Sequence, residues 1–328
     1  MVGGAATGVG AATLAAVSGR HVGNVMLTGR SAGGVTRTRA VVERVQQQVT
    51  PDSTGGVPLF VATDQEGGAV QVLSGPGFTE LPHALEQGTW PSGTLQDRAA
   101  GWGQELHRAG VTLDLAPVAD TVPSASAART NPPIGRFQRE FGYTPAQVGD
   151  HAAAFAAGMA SAGVDTAVKH FPGLGRVTGN TDTTSGVTDR TTTAHDAYLA
   201  PFRQTVSAGS GFVMMSTAIY ARIDPSAPAA FSARAVNVLR QDVGFTGVVI
   251  SDDLGSARQV ATWSPGERAV LFLRAGGDMV LTVDPTVLPA MYDATLALAQ
   301  RDPGFRRQVD ASALRVLRAK AALGLLAR

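Results

Sequence analysis

The stretch Gly247–Ser251, GVVIS, shows no alternation of apolar and polar residues and runs straight into Asp252-Asp253-Leu254. A strand with one wet face alternates and a strand covered on both faces does not, so this reads as one member of an all-parallel sheet wrapped in helices. Working back along the chain, the same character recurs in Gly211–Ser216 (GFVMMS), Val164–Lys169 (VDTAVK), Val111–Pro117 (VTLDLAP), Pro58–Thr63 (PLFVAT) and His21–Thr28 (HVGNVMLT). On the other side it recurs in Asp278–Thr282 (DMVLT). Segments with helical spacing lie between or after these runs, at 35–49, 94–109, 144–162, 194–208, 232–243, 264–275, 286–300 and 311–327. Met1-Val2-Gly3 reads like the tail of one more strand, trimmed at its start, which brings the count to eight strand–helix units. Eight such units over 328 residues predict an α/β fold, a (β/α)8 TIM-type barrel forming a single domain over 1–328. An open doubly wound sheet is the runner-up, but no G-x-G-x-x-G follows a strand. No linker, low-complexity tract or internal repeat divides the chain.

Composition narrows the chemistry. Only 16% of the residues are charged, and 27 basic against 26 acidic ones leave a formal charge of +1. That balance carries no footprint for nucleic acid or an anionic membrane surface. No apolar run is long enough to span a bilayer. The N-terminal stretch has no basic leader, so the chain reads as cytoplasmic as it stands and as exported if a leader has been trimmed away. Absence of cysteine removes disulfides, thiolate metal sites and thiol nucleophiles. Lysine is scarce: Lys169 and Lys320 are the two in the chain, and Lys320, in the last helical segment, reads as a surface residue.

The polar residues at strand ends carry the functional signal. Five runs end in Asp64-Gln65-Glu66-Gly67-Gly68, Pro117-Val118-Ala119-Asp120, Lys169-His170-Phe171-Pro172-Gly173, Ser216-Thr217 and Ser251-Asp252-Asp253-Leu254. A single Asp after a strand is more often a helix cap or turn former. Five ends converging on one barrel mouth outweigh that reading and predict a catalytic face. The long connections Asp120–Gly142 and Phe171–Thr193 follow strands and belong to the same face. Paired carboxylates suit glycoside hydrolysis. No HxH or HExxH spacing supports a metal, no G-x-S-x-G elbow is present, and neither a metal nor an organic cofactor is implied. A Schiff base on Lys169 stays open as a minor alternative.

Lys-His-Phe-Pro-Gly at 169–173, with the Asp64–Gly68 and Ser251–Leu254 stretches, Ala116-Pro117-Val118 and Arg139-Glu140-Phe141-Gly142, resembles glycoside hydrolase family 3. Within it the chain is similar to the single-domain β-N-acetylglucosaminidase (β-N-acetylhexosaminidase) branch, in order and spacing along nearly its whole length. The resemblance implies a barrel, a retaining mechanism, and terminal β-linked N-acetylglucosamine of a muropeptide or chitooligosaccharide as substrate, handled by a monomer. It places Asp252 as the nucleophile that forms the glycosyl-enzyme, and Asp64, Arg139, Lys169 and His170 at positions that hold sugar hydroxyls. Asp120 fits sugar binding or, slightly better, support of that shell. Asp253 reads as a structural hydrogen-bond acceptor.

The loop after Lys169 departs from the family pattern. Where the branch carries an Asp-x-His dyad, equal spacing here gives Asn180 and Asp182, and Leu174 replaces the first loop histidine. Asp182 is therefore expected to be the proton donor, oriented by Asn180 or Thr181, with its pKa raised by burial and by Asp252. An anionic residue there repels phosphate, so water is the expected acceptor. A weak or inactive sugar-binding barrel is the alternative.

Overall fold

In the computed structural model, which describes residues 1–326, the apolar runs form eight strands in chain order. They are β1 (Val2–Ala5), β2 (Asn24–Thr28), β3 (Phe60–Thr63), β4 (Leu113–Asp114), β5 (Asp165–Phe171), β6 (Phe212–Met215), β7 (Val248–Asp253) and β8 (Met279–Leu281). Each pairs in parallel with its neighbours. The amide of Gly3 donates to the Thr282 carbonyl at 2.8 Å, and that of Thr282 to the Met1 carbonyl at 3.1 Å, so the first and last strands meet and the sheet closes. The expected remnant at the start is a four-residue strand.

Closure explains the missing alternation. Met26, Phe60, Ala62, Phe212, Met214, Val248 and Ile250 belong to the cluster that fills the barrel. Val25, Leu27, Val61, Val213 and Val249, one residue out of step with them, pack into the layer shared with the helices. Both faces are dry, so both sets are apolar. Inside, the Phe60 and Phe212 rings meet edge to face with centroids 5.2 Å apart, and each fully buried side chain of this size contributes about 1.5–3 kcal/mol.

The outer layer is α1 (Ala11–Arg20), α2 (Gly34–Gln46), α3 (Ser92–Arg108), α4 (Pro145–Ser161), α5 (Ala200–Ser207), α6 (Ala233–Asn237), α7 (Pro265–Ala275), α8 (Leu288–Arg301) and α9 (Pro303–Ala322). Helix α7 shows why such segments start and stop where they do. Ser264 and Glu267 form a reciprocal capping box with Pro265 in the first turn, and Gly276 ends the helix at φ 105°. Helix α1 lies in a Gly/Ala-rich stretch whose buried face is only Thr13, Ala16 and Val17, too narrow a stripe to signal a helix in the sequence. The segment expected at 194–208 is helical only over 200–207, after a 3₁₀ turn at Ala197–Leu199. The last helix begins at Pro303, capped by Asp302, and position 327 lies outside the described residues. No helix among the described residues is long and apolar enough to cross a membrane.

Lys320 is not on the surface. It is 3% exposed, and its ammonium donates to the carbonyls of Gly23 (2.9 Å) and Pro58 (2.8 Å), just ahead of β2 and β3. The face of α9 that carries Val316 and Ala319 packs on the barrel interior and brings Lys320 with it. Burial pushes this amine down to about 8. The strand ends bearing Asp64, Lys169 and Asp252 open at the opposite rim.

Candidate active site

At that rim a cavity of about 310 Å³ has Met26, Leu115, Met214 and Leu281 among its apolar lining. Asp64, Arg139, Lys169, His170, Asp182 and Asp252 all line it, which brings together six of the seven residues singled out in the sequence. The seventh, Asp120, is wholly buried behind His170. A larger cavity of about 430 Å³ lies beside Lys320 at the other end. Its one carboxylate, Asp278, is already paired with Arg240 and Arg315, which leaves the smaller cavity as the candidate site.

Strand β3 delivers Asp64 and β5 delivers Lys169, whose ammonium sits 2.6 Å from Asp64 Oδ1 and 2.6 Å from Glu66 Oε1. Arg139 completes the group by gripping Glu66 with two parallel bonds, Nε to Oε2 at 2.8 Å and Nη2 to Oε1 at 2.7 Å. Burial alone would raise the Glu66 carboxyl, but Arg139 and then Lys169 outweigh it and hold the group down at about 2. Burial likewise works to lower Lys169, and Asp64 and Glu66 overcome it, keeping the amine above the ordinary lysine range. The result is a preset, ionised lattice with N–H donors to spare. Lysine has three and two are used; arginine has five and three are used, the third on the Pro133 carbonyl.

His170 follows directly on Lys169, through a cis peptide. Its Nδ1 lies 2.7 Å from Asp120 Oδ2. A carboxylate only accepts, so Nδ1 carries the proton and Nε2 is the ring's free position. Asp120 Oδ1 also accepts from the amides of His170 (3.1 Å) and Leu174 (2.7 Å). Among the described residues, every hydrogen bond of the Asp120 carboxylate thus goes to the end of β5 or the loop that follows it.

Asp252 is the last but one residue of β7, with Oδ1 accepting from the Asp253 amide at 2.8 Å. Asp253 turns its carboxylate to the amides of Gly255 (2.8 Å), Ser256 (3.1 Å) and Val283 (3.0 Å), an acceptor that shapes the next turn. Asp182 stands in the long loop after β5. Asn180 Oδ1 accepts from the Asp182 amide at 2.9 Å, so Asn180 shapes the turn through the backbone. Among the described residues nothing hydrogen-bonds the Asp182 carboxylate. Asp182 is exposed at the cavity rim, with the protein on one side of its carboxylate. Partial desolvation by the neighbouring protein first, and Asp252 second, raise it to about 6 against the opposing pull of His170 and Arg139.

The sequence matches the glycosyl hydrolase family 3 N-terminal domain over residues 8–319. The chain belongs to glycosyl hydrolase family 3. A crystal structure of a β-N-acetylhexosaminidase from Beutenbergia cavernae DSM 12333 is 55% identical and superposes with a TM-score of 0.97, covering 98% of this chain and 96% of that one. A β-hexosaminidase of Stenotrophomonas maltophilia (strain K279a) is 34% identical over 240 residues, 70% of this chain and 69% of its own. The β-hexosaminidase LpqI of Mycobacterium tuberculosis (strain ATCC 25618 / H37Rv) is 31% identical over 291 residues, 85% of this chain and 70% of its own.

Two residues of this family 3 glycosidase escaped the sequence reading. Glu66 was visible within Asp-Gln-Glu-Gly-Gly, but nothing in a linear pattern says that Lys169 and Arg139, more than seventy residues away in the chain, meet on it. Asp114 breaks the apolar run VTLDLAP, a signal that went unused. It is wholly buried, its Oδ1 accepts from the Gln65 amide at 3.0 Å, and burial pushes its carboxyl up to about 8. It fixes the turn between Asp64 and Glu66 from behind.

Proposed function

We propose that the enzyme removes non-reducing terminal β-linked N-acetylglucosamine, or a related β-hexosaminide, with retention of configuration. Asp252 is the nucleophile and Asp182 the acid and base. The observation that carries this reading is that Asp182 and Asp252 line one cavity, where partial desolvation and the second carboxylate raise the first towards neutral pH.

In the first step an Asp252 oxygen attacks the anomeric carbon, and the departing glycosidic oxygen takes the proton of Asp182. In the second, Asp182 accepts a proton from water as its oxygen attacks the same carbon, and the bond to Asp252 breaks. Asp64 accepts sugar hydroxyl protons, while the remaining donors of Lys169 and Arg139 and the Nε2 of His170 meet sugar oxygens. Asp120 supports His170. The cavity volume suits one terminal sugar, and the named activities of the Beutenbergia, Stenotrophomonas and Mycobacterium relatives support an N-acetylated hexose. A Schiff base on Lys169 needs a neutral amine, which two carboxylates at 2.6 Å oppose. Ionised Asp182 also disfavours a phosphate acceptor, leaving water.

Asp182→Ala tests the assignment. Against N,N′-diacetylchitobiose, whose leaving group needs a proton, kcat/KM is expected to fall ~10²–10⁴-fold. Against 2,4-dinitrophenyl N-acetyl-β-glucosaminide the fall is expected to be less than about tenfold, because that leaving group departs as the anion. Equal losses on both substrates would remove Asp182 from the role.

A further inference from the structure

The Asp182 loop is long and exposed from Asp182 to Gly186, yet the backbone at Thr181 and Asp182 is tied down at defined atoms. The ties on Thr181 and Asp182 lead to the segment just past the nucleophile, while the Val187 carbonyl further along also accepts from the Ile219 amide at 3.0 Å. The amide of Arg258 donates to the Asp182 carbonyl at 3.1 Å and that of Gln259 to the Thr181 carbonyl at 3.0 Å. The Gln259 side chain then closes the far side of the loop. Its Oε1 accepts from the Val187 amide at 2.9 Å and its Nε2 donates to the Val187 carbonyl at 3.2 Å. Gln259 and Val187 are each 5% exposed, and Thr181 is 2% exposed.

The other end of this tie is equally defined. Between Asp252 and Arg258 the chain turns on the Asp253 carboxylate, and Arg268 holds the carbonyls of Leu254 and Gly255, both at 2.9 Å. Buried amide groups bound at both ends permit one arrangement and leave unpaired donors in any other. Asp182 therefore inherits its position from the frame that positions Asp252.

We propose that Gln259 is a positioning residue that clamps the Asp182 loop to the segment following the nucleophile strand, so that proton donor and nucleophile sit on one rigid frame. The inference rests on the acid/base reading of Asp182 and adds to it the device that fixes its geometry. Proton transfer requires hydrogen-bond reach of the glycosidic oxygen, and a loop anchored only at its ends does not hold that to within an ångström.

The experiment compares the wild type, Gln259→Leu, Arg258→Pro and Asp182→Ala on diacetylchitobiose and on the 2,4-dinitrophenyl glycoside, with thermal unfolding of each. Gln259→Leu keeps the side-chain bulk and removes both bonds to Val187. Arg258→Pro removes the amide that reaches Asp182, together with an exposed guanidinium; position 258 opens a 3₁₀ turn and Ala257 before it is extended (φ −58°, ψ 124°), so proline is tolerated there. Both variants are expected to lose about tenfold or more in kcat/KM on chitobiose and under about threefold on the activated glycoside, a fraction of the full acid/base contribution. The alkaline limb of the chitobiose profile should move to lower pH as Asp182 leaves the surroundings of Asp252, Asp253, His170 and Arg139. Equal losses on both substrates with an unmoved limb, or no loss in either variant, would overturn the clamp. If Gln259→Leu does not fold, Arg258→Pro decides alone. Should Asp182→Ala discriminate between the substrates while neither clamp variant does, the clamp fails and the acid/base reading stands. A flat Asp182→Ala overturns both.

Discussion

Replacing Glu66 by Gln keeps the shape of the side chain and deletes the charge on which Lys169 and Arg139 converge. Two independent routes give the cost. Removing one partner of a buried ion pair costs about 3–5 kcal/mol. The carboxyl is also held at about 2 against an ordinary 4.5, which by linkage is stability of about 3 kcal/mol near neutral pH. With an unfolding entropy of about 2.1 cal/mol/K per residue over 328 residues, a loss of ~3 kcal/mol lowers Tm by about 4 °C. The sign with pH follows from the depressed pKa. The contribution of Glu66 is full above the unfolded value of 4.5 and is lost as pH falls through about 2, so wild type and Glu66→Gln should converge as pH is lowered from 5 towards 3. Thermal unfolding of both proteins across pH 3–7, with KM for an aryl N-acetyl-β-glucosaminide at pH 7, checks this. KM should rise as Lys169 and Arg139 lose their shared anchor. A Tm difference below about 1 °C at pH 7, or one that does not shrink with acid, would refute the argument that this carboxylate organises Lys169 and Arg139.

In the proposed mechanism Asp182 acts protonated on a poor leaving group, so turnover of chitobiose should fall as pH rises through about 6, and the fall should be absent for the dinitrophenyl glycoside where its glycosylation step is rate-limiting. Lys320 is held at about 8 against an ordinary 10.5. The unfolded chain therefore binds more protons between those values, and wild type should gain stability over Lys320→Met as pH is raised from 8 to 10, read from urea midpoints. A stability difference that does not change over that range would place this amine in solvent.

The barrel was legible because its strands are dry on both faces: GVVIS and PLFVAT carry that fact in every residue. Strand ends were legible for the same reason, since an Asp or Lys that terminates such a run stands out. Helix α1 was not, because two or three small residues suffice to seat it against β1 and leave little amphipathic stripe. The cavity-lining residues were found by motif, whereas the ionic lattice on Glu66 and the Val187–Gln259 tie depend on which distant segments meet. Asn180 illustrates the limit in the other direction: its spacing suggested a partner for the Asp182 carboxylate, and its side chain holds the backbone amide instead. Lys320 failed for a simpler reason, that exposure was assigned by residue type. A lysine reaches burial when its stem packs on apolar surface and its ammonium finds carbonyls, as it does here.

Both lysines end up 3% exposed, one among carboxylates at the mouth and one among carbonyls at the base. Every other basic side chain that titrates above neutrality is an arginine. To an acylating reagent the folded protein is therefore blank at its side chains, while unfolding uncovers two amines at opposite ends of the barrel. Coupling chemistry aimed at lysine will not immobilise or tag the native enzyme through a side chain. The same inertness makes acylation at positions 169 and 320, resolved by mass spectrometry, a separate clock for the opening of each end.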